Sequence, residues 1–152
     1  MNVLLVAHPD DCCLWFAPEK YDKIIIVFGD FGDARGKTSG DKRRAALAEH
    51  PLKDKIIHLD YPESHYTWDR GNIIRKDKFN RTYDKLVKYL KTLDATSITT
   101  HAATGEYDNL DHIMCFMAAM EADIAPVNGA DPKLFKQIRD VYKKHDCWTW
   151  YF

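Results

Sequence analysis

Four short runs of apolar or β-branched residues recur along the chain, each followed by a helical signal. "VLLVA" (3–7), "KIIIVF" (23–28), "KIIHL" (55–59) and "TSITT" (96–100) are strand-sized. The first, and the second after Lys23, are continuously apolar, the pattern of parallel strands covered on both faces. Residues 11–17 suit a short helix that Pro18 cuts off. Thr38, Ser39 or Asp41 could cap a helix through "KRRAALAEH", with Pro51 just past its end. Phe79, Tyr83, Leu86, Leu90 and Leu93 recur at helical spacing, with Asp77 or Asn80 near the start. Ile113, Phe116, Met117 and Met120 mark a further helix, and Leu134, Phe135, Ile138, Val141 and Tyr142 the last. The order βαβαβαβα predicts an α/β fold of three layers, α/β/α, around a mainly parallel sheet. The 152 residues fit one domain, 1–152.

This architecture places the chemistry. In a parallel sheet, every loop from strand to helix emerges at the same edge, and ligands bind there. The loops that begin at His8, Gly29, Asp60 and His101 are therefore expected to be neighbours. The first supplies His8, Asp10 and Asp11; the fourth supplies His101, Glu106, Tyr107, Asp108, Asn109, Asp111 and His112. His8 and Asp11, three residues apart on a turn, can approach one ion, and His112 can close the set. Two histidines and a carboxylate suit zinc with an open position, or ferrous iron. Asp10 would then be free to act as a general base. A simpler reading stands beside this one: His8 satisfied by backbone, Asp10 or Asp11 as a helix N-cap, and Asp111 as another.

Composition narrows the function classes. The net charge of −1 argues against a dedicated nucleic-acid binder. Charge is locally uneven, however: from Asp69 to Lys91 there are eight Lys or Arg against three Asp. That stretch suits a solvated helix face or contact with a phosphate. No signal peptide is visible, and no apolar run approaches membrane-spanning length. Cys12, Cys13, Cys115 and Cys147 form no CxxC pair, which fits a reduced, cytoplasmic setting.

"AHPDD" at the end of the first strand and "THAATGEYDNLDH" after the fourth resemble the PIG-L/LmbE-like family of zinc-dependent N-acetylglucosamine deacetylases. That family carries AHPDDE early and a TH…GEYGHxDH-type segment later, on a Rossmann-like sheet. The similarity runs from residue 2 to about residue 122. It includes "IIIVFGDFGDARG", an arginine-bearing helix start and the "LDYPES" loop. The resemblance implies that His8, Asp11 and His112 hold the metal and that Asp10 is the general base. Tyr107 would stabilise a tetrahedral oxyanion. Asp111 would orient a neighbouring imidazole or ligand. Arg43 or Arg44 would hold substrate. The implied substrate is an N-acetylated, sugar-containing small molecule.

Two positions leave the family pattern. The glutamate closing AHPDDE is Cys12, and the first histidine of GHxDH is Asn109. Asn109 can donate a hydrogen bond to an oxyanion but cannot deliver a proton at neutral pH. Three outcomes follow: Asp10 performs both proton transfers, His101 or His65 fills the role, or catalysis is weak or lost. The competing functions are thus a degenerate metal- and sugar-binding protein and, by ligand set alone, a ferrous oxygenase. About thirty residues follow the second motif helix, so the pocket is expected to be open or completed by another subunit. His65, Tyr66 and Trp68 suit either sugar stacking or cover for the sheet. His50, His58 and His145 are expected to have no catalytic role. The aromatic tail Trp148, Trp150, Tyr151 and Phe152 suits burial in the core or at a dimer interface.

Overall fold

Strand β1 (Asn2–Val6) runs through the middle of the molecule, and Val3 to Val6 are fully buried. The computed structural model describes residues 1–30, 36–63, 68–69, 72–73, 76–122, 126–128 and 135–147. β2 (Lys23–Phe28) pairs parallel with β1 on one side, and β3 (Ile56–Tyr61) pairs parallel with β2. Residues 68–69 (β4) and 72–73 (β5) form a small antiparallel ribbon apart from the main sheet. β6 (Ser97–Thr100) pairs parallel with the other side of β1, with Val3 opposite Ile98. β7 (Pro126–Asn128) extends the edge beyond β6. The main sheet is therefore all parallel, in the order β3-β2-β1-β6-β7. The order reverses direction between β1 and β6, the switch point at which such sheets bind ligands.

Alternate side chains of β1 face two different cores, which makes the molecule three-layered. Val3, Leu5 and Ala7 pack with α3 (Lys76–Leu90) and α5 (Leu110–Glu121) through Phe79, Leu86, Leu90, Met114 and Cys115. Leu4 and Val6 face α1 (Asp11–Leu14), α2 (Gly36–Ala48) and α6 (Phe135–Lys144) through Cys12, Cys13, Ala46, Leu47 and Tyr142. The expected α/β fold with three layers is the one observed. The first strand is apolar from Val3 to Val6 because each of its faces meets a helix layer there.

The structure moves several expected features. α2 already begins at Gly36, so Thr38, Ser39 and Asp41 lie inside it rather than at its cap. α5 buries Leu110, Met114, Cys115, Ala118 and Ala119, whereas Met117 and Met120 of the expected stripe are exposed. That helix is apolar nearly all round, so its sequence does not select a face; small alanines let it approach the sheet closely. β7 carries a proline and spans three residues, which leaves almost no strand signal. The tail from residue 148, and the contacts expected of His65 and Tyr66, lie outside the described residues.

Close packing at the sheet's carboxyl edge depends on Gly29. A Cβ there would stand 1.7 Å from Asp60 Oδ1. Asp60 itself has φ 56°. β2 and β3 therefore end in a tightly interlocked pair of turns beside the site.

Candidate metal centre at the switch point

The carboxyl ends of β1 and β6 deliver two histidine-bearing segments to one place. β1 ends in the His8–Asp11 turn, held by the Asp11 N–H on His8 O at 3.2 Å. The Asp11 carboxylate turns back, and its Oδ2 accepts the His8 N–H at 2.7 Å. β6 leads into α4 (Gly105–Asp108), a single distorted turn, and then into α5, which carries His112 on its first turn.

Asp11 Oδ2 is the focus of the site. It lies 3.2 Å from His8 Nδ1 and 3.3 Å from His112 Nε2. Two donors about 2.1 Å from one tetrahedral ion stand roughly 3.4 Å apart. The spacing of these three residues is that of a shared ion, and their donor atoms fall within 4.8 Å of one another. His112 Nε2 supports this more sharply: it is buried and makes no hydrogen bond. It stands 3.3 Å from Asp11 Oδ2 without forming a hydrogen bond to it. Buried polar atoms in folded proteins almost always have a partner, so an unpartnered nitrogen aimed at a carboxylate fits a metal ligand.

Carboxylates stand behind both imidazoles. His112 Nδ1 faces Glu106 Oε2 at 2.6 Å, and His8 Nε2 faces Asp111 Oδ2 at 2.8 Å. A carboxylate on the far nitrogen fixes ring orientation and leaves the near nitrogen for a metal. Glu106 also meets His101 Nδ1 at 3.1 Å and accepts the Ala102 N–H at 2.8 Å. Its backbone has φ 60°, a costly conformation for a residue with a side chain. Gly105 before it has φ 63°, and a Cβ there would come within 2.8 Å of Ile113.

The charges are strongly coupled. Burial works against ionisation of Asp11, but His112 and His8 outweigh it and hold this carboxyl well below the usual range. Burial lowers the His112 pKa, yet Asp11 overcomes it and the ring rises to about 9. Burial would raise Glu106; its hydrogen bonds to His101 and His112 bring it down to about 2. Asp10 goes the other way. Burial first, and the neighbouring charge of Asp11 second, raise it to about 7. Asp10 stands at the N-cap position of α1 but makes no side-chain capping bond.

The remaining candidates divide. Tyr107 is 40% exposed, and its ring meets His112 edge-on at 5.4 Å between centroids. Asn109 caps α5: its Oδ1 accepts from the N–H groups of Asp111 at 2.9 Å and His112 at 3.3 Å. Its Nδ2 donates to the Tyr107 hydroxyl at 3.3 Å. The cap of this helix is thus Asn109, not Asp111. His101, Arg43 and Arg44, expected near the substrate, are each engaged by the chain's own groups. His101 is fully buried; its Nε2 accepts the Ala7 N–H at 3.1 Å and its Nδ1 faces Glu106, so it forms the floor of the site. Arg43 is buried and donates to Gly29 O at 2.6 Å and Glu63 Oε1 at 2.7 Å. Arg44 is surrounded by Asp30, Asp41 and Asp60. His65 lies outside the described residues.

Cys12 is buried; its Sγ donates to Pro9 O and lies 3.7 Å from His50 Nε2. It turns into the α1–α2–α6 core. Sequence spacing gave no role to Glu106 or Glu63. Glu63, from the "LDYPES" loop, brings its Oε1 within 3.5 Å of His8 Nε2.

No family model matches the chain, and no curated protein matches it. Solved structures do. A deacetylase of the teicoplanin biosynthesis pathway aligns at 15% identity with a TM-score of 0.55, over 95% of this chain and 82% of that one. The deacetylase–teicoplanin complex aligns at 14% with a TM-score of 0.55, over 96% and 85%. An antimicrobial-reagent pseudoaglycone deacetylase aligns at 14% with a TM-score of 0.51, over 95% and 78%. These likenesses establish a shared α/β fold.

Proposed function

We propose that the chain is a metal-dependent deacylase that hydrolyses the amide of an N-acetylated, sugar-containing small molecule. The observation that carries this reading is the unpartnered, buried His112 Nε2 beside Asp11 Oδ2 and His8 Nδ1. The deacetylases that share the fold add support, since two of them are tied by name to the glycopeptide teicoplanin. His8, Asp11 and His112 would hold the ion, with zinc the best fit and ferrous iron the alternative. Bound there, the ion supplies Lewis acidity that polarises an amide carbonyl and acidifies water.

The chain's own groups supply the proton transfers. Asp10, near pH 7 in its ionisation, accepts a proton from the attacking water and returns it to the departing nitrogen. The C–N bond breaks, and a carboxylic acid and a free amine are released. Tyr107 donates a hydrogen bond from its hydroxyl to the developing oxyanion, and the Asn109 amide steadies that hydroxyl from behind. Glu106 and Asp111 fix the two imidazoles.

Asp10→Asn keeps the size of the side chain and removes the base. Acetate release from an N-acetylated amino sugar is expected to fall by about 10²–10⁴-fold in this variant while zinc content is unchanged. Undiminished turnover in Asp10→Asn would overturn the assignment. A binding protein without catalysis is the second reading, favoured by Asn109 serving as a helix cap where the resembling family has histidine. Metal uptake with no hydrolysis across a panel of acetylated amines would select it.

A further inference from the structure

A basic groove of about 350 Å³ opens between the end of β3 and the face of α3 from Lys78 to Lys85. Lys78, Arg81 and Lys85 line one wall, with the Thr82 hydroxyl between them. Their spacing puts them on one side of the helix. Tyr61 and Glu63 form the opposite wall, and Lys85 Nζ stands 5.9 Å from the centre of the Tyr61 ring.

Two contrasts give the groove meaning. Arg43 and Arg44, nearby, are saturated by carboxylates. Among the described residues, Lys78, Arg81 and Lys85 have no carboxylate partner, in a chain whose net charge is −1. The groove also adjoins the metal centre. Glu63 lines it and reaches His8 Nε2 at 3.5 Å, while Arg43 already neutralises the Glu63 charge at 2.7 Å. A ligand with its amide at the metal centre and an anionic group reaching past Glu63 would meet these cations, and the Tyr61 ring offers an apolar wall.

We propose that this groove is an anion subsite, so the amide substrate carries a phosphate ester or a carboxylate that Arg81 and Lys78 bind. This rests on the deacylase reading and specifies its substrate class. A guanidinium and an ammonium beside a hydroxyl suit a tetrahedral or planar oxyanion.

The test compares kcat/KM for N-acetylglucosamine, its 6-phosphate and N-acetylmuramic acid, in the wild type and in Arg81→Gln, Lys78→Gln and Lys20→Gln. Lys20→Gln removes the same charge at an exposed position far along the chain. One of the two anionic substrates is expected to exceed the neutral one by at least about tenfold, and which one identifies the anion. Arg81→Gln or Lys78→Gln should reduce that preference about tenfold, through KM. Lys20→Gln should retain it. No preference in the wild type, or an unchanged preference in both groove variants, overturns the subsite. Titration of inorganic phosphate by calorimetry separates the two claims. Phosphate bound by the wild type and lost in Arg81→Gln, with no amide hydrolysed, keeps the subsite and removes the deacylase reading. Amide hydrolysis without an anionic preference that Arg81→Gln or Lys78→Gln weakens, and without phosphate binding that Arg81→Gln removes, removes the subsite alone. Failure of both measurements removes both.

Discussion

Glu106 shows how one side chain can organise a site. Its carboxylate touches both His101 and His112, and the first of these forms the floor beneath Asp11. The positive φ at Glu106 is the local strain that accompanies this placement. Glu106→Gln leaves the shape but removes the charge that holds the proton on His112 Nδ1. Zinc affinity is expected to drop by about 10- to 100-fold, measured by competition with a chromogenic chelator. Equal affinity in the variant would mean that His112 is oriented by packing alone. Neither this role nor that of Glu63 was legible in the sequence. Both depend on where loops turn back in space, and "TGEYD" gives no periodic signal. His8, Asp11 and His112 were legible because two strand ends of a parallel sheet must meet at one edge.

At the scale of elements, α5 and its cap connect stability to the site. Asn109 satisfies two of the first N–H groups of α5 and also donates to Tyr107. The two duties can be separated. Asn109→Ala removes the cap and should cost about 1 kcal/mol, a fall in Tm of about 2–4 °C for a chain of this size. Asn109→Asp keeps an acceptor for the cap but has no amide N–H for Tyr107. It is expected to hold its Tm in thermal denaturation while losing turnover. Full turnover in Asn109→Asp would detach Asn109 from Tyr107. The clearest strands in the sequence, β1 and β2, are buried on both faces and apolar after their first residues, Asn2 and Lys23. α3 was clear from its stripe of Phe79, Leu86 and Leu90, all buried as expected. β7 and the buried face of α5 were not clear: one is three residues with a proline, and the other presents apolar residues all around.

Across the whole molecule, the ion-free centre should make stability depend on pH. The His112 pKa in the fold is about 9, above its ordinary 6.5. Protonation therefore stabilises the ion-free fold, fully below about pH 6.5, and the contribution disappears as pH rises through about 9. Asp11, held low, contributes in the opposite sense: its share is present above about pH 4 and lost on acidification. Urea denaturation of chelator-treated protein should thus lose stability between pH 6.5 and pH 9.5. An ion at the centre replaces the His112 proton, so zinc-loaded protein should not show that loss, and loading at pH 7 should release protons. A flat profile in the ion-free protein would mean that His112 and Asp11 do not share charge as the geometry indicates.

The most direct test of the central claim is an anomalous difference map at the zinc edge from zinc-loaded crystals. The account predicts one strong peak, about 2.0–2.2 Å from each of His8 Nδ1, Asp11 Oδ2 and His112 Nε2. A zinc-loaded protein with no peak among those three atoms would contradict it.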